Sequence, residues 1–144
     1  MVDVSTKHDS RRLARATGTI RMRPATLRAI VENTVKKGDV VAVARVAGIL
    51  AGKRTAELIP LCHPLPLTDL QVTLLPDSTV PGLRAEAVAR TVGKTGVEME
   101  ALTAVAVTLI TVYDMAKALD KGMVISDICL KEKRGGRSGH WIRN

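Results

Sequence analysis

From Ala101 to Tyr113 no side chain is charged, and Leu102, Val105, Ala106, Leu109, Ile110, Tyr113 and Ala116 recur at three- and four-residue steps. That period predicts a helix, bounded by Gly96 upstream and Gly122 downstream. Without a polar outer face, such a helix is expected to be covered on most sides, partly by another subunit. The run is too short and too rich in threonine for a membrane span. A second helix is predicted from Val40 to Leu58, with Val43, Val46, Ala47, Leu50 and Leu58 on or near one side. Its small residues, among them Ala44, Gly48, Ala51 and Gly52, would let another backbone approach closely. Pro24 suits a first helical turn, and Leu27, Ile30 and Val31 give that short helix an apolar face.

Period-two stretches predict strands at Arg12 to Met22, Leu67 to Leu75, Leu83 to Val92 and Met123 to Leu130. The resulting order, β-α-α-β-β-α-β, predicts an α+β fold with helices packed on one face of an antiparallel sheet. At 144 residues the chain is expected to form one domain over 1–144. Its first residues and its basic glycine-rich tail, Lys133 to Gly139, read as flexible by composition.

Charge narrows the range of partners. The net charge of +8 points to an anion: nucleic acid, an anionic membrane surface or a phosphorylated small molecule. Trp141 and Tyr113 are the only aromatic residues besides histidine, which argues against single-stranded nucleic acid, whose bases stack on such rings. A module that grips only the phosphates of a duplex stays open as an alternative. Cys62 and Cys129 are expected to be free thiols, and Met1-Val2-Asp3-Val4-Ser5 lacks the features of a secretory signal, which places the chain in the cytoplasm.

Candidate chemistry is concentrated in four places. Lys36-Lys37-Gly38 forms a turn whose lysines read first as solvated surface. Ile59 to Pro66 is stiffened by three prolines and presents Cys62 and His63. With Cys129, His8 and His140 these do not supply a recognised zinc spacing, and the tendency of adjacent side chains to diverge weakens a Cys/His dyad. Gly93-Lys94-Thr95 mimics a P-loop ending, but Val88 stands where the earlier glycine is required. No glycine-flanked serine forms a nucleophile elbow. The long helix carries Glu98 and Glu100 in its first turn and Asp114 with Lys117, one helical step apart, near its end. The tail resembles a phosphate-gathering loop, though a solvated basic tail fits its composition equally well.

Lys-Gly-Asp-Val at 37–40, Ile-Pro-Leu-Cys-His-Pro-Leu at 59–65, Gly-Lys-Thr-Gly-Val-Glu-Met-Glu-Ala-Leu at 93–102 and Tyr-Asp-Met-Ala-Lys at 113–117 together closely resemble the cyclic pyranopterin monophosphate synthase family. The resemblance covers nearly the whole chain. It implies a ferredoxin-like α+β fold and a hexamer of three dimers. It also implies conversion of a cyclic dihydroguanosine triphosphate into cyclic pyranopterin monophosphate with release of diphosphate, in molybdenum cofactor biosynthesis. Carried onto this sequence, it implies that Asp114 and Lys117 are catalytic and that Lys37 and His63 join the same pocket. Leu61, Cys62, His63, Met99 and Glu100 would contact substrate, and Arg12 would bind phosphate. Arg137 departs from the lysine common at its position.

Such a reaction needs proton transfer and charge neutralisation and no redox cofactor. Lys117, with cations nearby, is expected to have a lowered pKa. Glu100 and Asp114 lie fourteen residues apart, roughly 21 Å along a helix. If both serve one substrate, an antiparallel helix from a twofold-related subunit must bring the two ends together.

Overall fold

The computed structural model describes residues 1–137 and 139–144. Strands β1 (Ser10–Arg21) and β3 (Gly82–Gly93) pair antiparallel over their whole length, Ser10 opposite Gly93 and Arg21 opposite Gly82. Outside them lie β2 (Leu67–Pro76), against β3, and β4 (Val124–Arg134), against β1. A short β5 (His140–Ile142) pairs with β4 and completes the order β2-β3-β1-β4-β5. The central four strands have the ferredoxin-like order, so the predicted α+β architecture with an antiparallel sheet is the observed one. The helices are α1 (Pro24–Val31), α2 (Val40–Lys53), α3 (Thr55–Leu58) and α4 (Glu98–Ala116).

The centre of the core is made of small residues. Ala14 and Ala16 of β1 and Ala85, Ala87 and Ala89 of β3 are fully buried, and α4 lies over these strands and β4. Its inner side contributes Ala101, Ala104, Val105, Thr108, Leu109 and Val112. By length and composition α4 could cross a membrane, but it is a core helix, more than half buried within the protein. Burial confirms only part of the predicted stripe: Val105, Leu109 and Ala116 face inward, whereas Ile110 is exposed.

On α2 the predicted inner face is reversed. Val43, Val46 and Leu50 are about half exposed, as is Leu58 beyond the helix, while the buried line is Val40, Ala44, Gly48, Ala51 and Gly52. Close approach wins over side-chain hydrophobicity here. A Cβ on Gly48 would stand 2.8 Å from the Ala104 carbonyl oxygen and overlap Thr108 Oγ1, so only the small-residue line fits against α4. The predicted single helix also breaks at Arg54, whose backbone leaves the helical region. On α1, Val31 points outward, and Thr26 is buried with Ile30 in its place.

The C-terminal segment differs as well. Lys133 and Arg134 do not begin a flexible tail; they extend β4 and pair with Trp141 and His140 of β5. Between them, Gly135 N–H donates to Gly139 O at 2.9 Å, closing a turn. Composition marked this segment as mobile because glycine and charge dominate it. Its described residues form a turn and an edge strand because β4 offers a free edge and Glu132 accepts from both Arg134 and His140.

A helix-interior glycine normally costs about 1 kcal/mol relative to alanine. At Gly48 the sign should reverse, since the Ala104 carbonyl is backbone and Thr108 is fully buried, with its hydroxyl already bonded to that carbonyl. Gly48→Ala is expected to lower the unfolding free energy by about 1–3 kcal/mol, read as a lower urea midpoint at unchanged slope.

Candidate functional site

Two groups of side chains gather at opposite ends of α4. At its C-terminal end the turn before α2 is set by Gly38, whose φ of 98° favours glycine, and by Asp39, which caps α2 by accepting from Ala42 N–H at 2.9 Å. This turn sends Lys37 across to α4. Lys37 Nζ lies 2.7 Å from Asp114 Oδ2 and 3.0 Å from the Asp114 carbonyl oxygen, and Lys117 Nζ lies 2.7 Å from Asp114 Oδ1. Hydrogen bonds from Lys117 and Lys37 pull the Asp114 carboxyl down to about 2. The same contact raises Lys117, reversing the expectation of a lowered lysine, because a carboxylate at hydrogen-bonding distance outweighs the neighbouring ammonium. The group is one carboxylate clasped by two lysine side chains.

At the N-terminal end the β3–α4 connection, Lys94 to Val97, separates two clefts. The larger, about 620 Å³, includes Ser10, Arg12, Lys94, Lys133 and Arg137 in its lining. Arg12 is held by Nε to Gly93 O and by Nη2 to Lys94 O, both at 3.2 Å. Glu98 is the cleft's only carboxylate among the described residues, and Lys133 Nζ neutralises it at 2.8 Å. The second cleft, about 350 Å³, is lined by Leu61, Cys62, His63 and Met99, and shares Thr95, Gly96 and Glu98 with the first. Leu61 is widely exposed on the proline-rich loop.

Glu100 sits behind that loop with 3% of its surface exposed. Cys62 Sγ approaches its Oε1 at 3.9 Å, and its Oε2 is buried without a hydrogen-bond partner. Burial pushes the Glu100 carboxyl up, and burial together with Glu100 pushes the Cys62 thiol up. A cavity of about 160 Å³ beside Glu100 is also lined by Lys53 and Arg54.

Comparison with known proteins decides what this arrangement belongs to. The family profile described as MoaC family matches residues 1–136. The chain belongs to the MoaC family. Among its relatives are proteins named cyclic pyranopterin monophosphate synthase from Brucella ovis, Brucella melitensis biotype 2 and Brucella abortus strain 2308. Each is 57% identical over 141 residues, covering 98% of this chain and 86% of the relative.

The residues singled out from this MoaC-family sequence therefore fall into two sets. Lys37, Asp114 and Lys117 touch one another. Leu61, Cys62, His63, Met99, Glu100 and Arg12 lie around the clefts at the other end of α4. Within a single chain His63 does not join the pocket of Lys37, because the length of α4 separates them. Lys53 and Lys94, passed over as site residues, line these cavities, and so does Lys133 of the tail read as a phosphate-gathering loop. Lys94 was set aside with the failed P-loop match, and Lys133 was grouped with the tail. Two-residue alternation continued past Leu130 would have placed Lys133 on the opposite face of β4; a bulge opposite Arg15 and Ala16 reverses the alternation and carries Lys133, paired with Ala14, to Glu98.

The state of Glu100 has a definite effect on stability. A carboxyl whose pKa rises on folding weakens the fold once it is ionised. The penalty is absent below the unfolded value near 4.5 and complete above the raised folded value. Glu100→Gln is therefore expected to stabilise the protein at pH 8 by about 1–3 kcal/mol and to give no such gain at pH 4. Thermal unfolding at both values checks this.

Proposed function

We infer that this chain is a cyclic pyranopterin monophosphate synthase, a lyase of molybdenum cofactor biosynthesis that acts on (8S)-3',8-cyclo-7,8-dihydroguanosine 5'-triphosphate and releases diphosphate. The observation that carries this reading is the 57% identity, over 98% of the chain, to proteins of that name. The site chemistry agrees with it. The larger cleft offers cations and a hydroxyl to a polyphosphate, and the adjoining cleft, with Cys62, His63 and Met99, offers a partly apolar lining to a fused ring.

Forming the cyclic phosphate joins a substrate hydroxyl oxygen to the α-phosphorus as the anhydride bond to the β-phosphate breaks. Diphosphate leaves with the electron pair, and the hydroxyl proton must be taken up. An Asp114 carboxyl held near 2 is a weak base at neutral pH. Its role in this reading is to hold Lys37 and Lys117 as ammonium ions, the groups that neutralise developing charge and donate protons. Glu100, with its unpartnered oxygen, accepts from a ring N–H of the substrate.

Both groups serve one substrate only if a second copy supplies the opposite end of α4. The outward rows Val43, Val46 and Leu50 of α2 and Met99 and Ile110 of α4 support burial against another copy. We take the assembly to be a hexamer of three dimers, working in the cytoplasm, with each active site shared across a dimer interface. A nucleic-acid module would instead bind duplex in a salt-sensitive way with no need for Asp114.

Turnover of the cyclic triphosphate with stoichiometric diphosphate release tests the reaction. Asp114→Asn and Lys117→Ala are each expected to lower kcat at least about 100-fold. The thermal midpoint should barely move, since exposed ion pairs contribute little to stability. Mixing Glu100→Ala with Asp114→Ala under subunit exchange should restore activity, because one site of each mixed dimer is intact. Verified exchange without recovery would count against the shared site.

A further inference from the structure

The cationic cleft contains an uncharged group that no interaction among the described residues accounts for. Ser10 opens β1 opposite Gly93, and its Oγ is inaccessible to solvent yet has no hydrogen-bond partner among the described residues. Buried hydroxyls are normally bonded, so an orphan calls for an explanation. Gly93 has no side chain to offer, and Ser10 lines the cleft together with Arg12, two residues along the same side of the strand.

The surroundings specify the missing partner. Arg12 commits Nε and Nη2 to the carbonyls of Gly93 and Lys94, which fixes the guanidinium with Nη1 toward Gly136, where any Cβ would strike it. Six lysines and arginines line the cleft against the single carboxylate of Glu98, itself paired with Lys133. A ligand that accepts hydrogen bonds and carries several negative charges matches this set. Ser10 is only half-buried as a residue and lines the cleft, so a change of χ1 rotamer is the route by which its hydroxyl would meet a ligand there.

We propose that Ser10 Oγ–H donates to a non-bridging oxygen of the substrate's triphosphate, beside the Arg12 guanidinium. The assignment rests on reading the larger cleft as the triphosphate site. It makes Ser10 a binding residue that orients the chain of phosphates, where Arg12 and the lysines supply charge.

Calorimetric titration with inorganic tripolyphosphate, at fixed ionic strength, tests the proposal on the wild type, Ser10→Ala and Ser10→Thr. Ser10→Ala is expected to weaken binding about 5- to 10-fold, whereas Ser10→Thr, which keeps the hydroxyl, stays within about 2-fold. The salt dependence of binding should be the same in all three, since no charge is removed. The ligand-free Ser10→Ala protein should unfold at the same temperature or higher, because an unsatisfied hydroxyl has gone. Unchanged affinity, or an affinity loss accompanied by a lower unfolding temperature, overturns the role of Ser10. Wild-type turnover of the cyclic triphosphate, measured in parallel, separates the two readings. Turnover with Ser10-independent binding overturns Ser10 alone, and Ser10-dependent binding without turnover supports Ser10 while overturning the reaction.

Discussion

The contact between α2 and α4 at Gly48 sets the geometry of everything around it. Backbone meets side chain there with no room for a methyl group, and Gly52 repeats the approach one turn on, where a Cβ would press on Leu70 and on the Glu100 carbonyl. Because the inner lines of both helices are small, the pair lies close to the alanine-lined centre of β1 and β3. The larger aliphatic side chains of α2 are consequently turned outward. One packing decision thus fixes the core, exposes a hydrophobic surface and holds α4 rigid between two chemically distinct ends.

Those ends use charge in different ways. Around Asp114 the groups satisfy one another: two lysines and a carboxylate, all half exposed, pair at hydrogen-bonding distance. Around Glu100 satisfaction is withheld. A buried carboxyl keeps one oxygen without a partner among the described residues and has a thiol as its side-chain donor. The first arrangement stores positive charge for use, and the second stores an unmet hydrogen-bonding demand. Strain of the second kind is what a binding site retains when ligand recognition is worth more than fold stability.

Much of the fold could be read from periodicity. Strands with alternating burial, such as Leu83 to Val92, and the uncharged run of α4 announce themselves because their patterns follow from the pleat and the helical turn. The inner face of α2 did not, because hydrophobicity ranks Val43 and Leu50 above Gly48 and Ala44, while the decisive quantity was the distance between two backbones. β5 was missed for a related reason: three residues at a sheet edge have too little sequence to show a period, and their pairing depends on Glu132 gathering Arg134 and His140. The site residues came from motifs and resemblance. Ser10 and Lys53 belong to no such motif, and only the folded chain brings them to the cavities.

The lining of the larger cleft also bears on events before any contact is made. Several cations are concentrated in one concavity of a protein whose net charge is +8, and low-dielectric walls focus their field outward. A polyanion diffusing nearby is drawn toward that mouth, so the rate of encounter exceeds that of an uncharged molecule of the same size. Because mobile ions shorten the reach of the field to about 8 Å at physiological salt, capture becomes slower as ionic strength rises, even where the bound complex is unaltered.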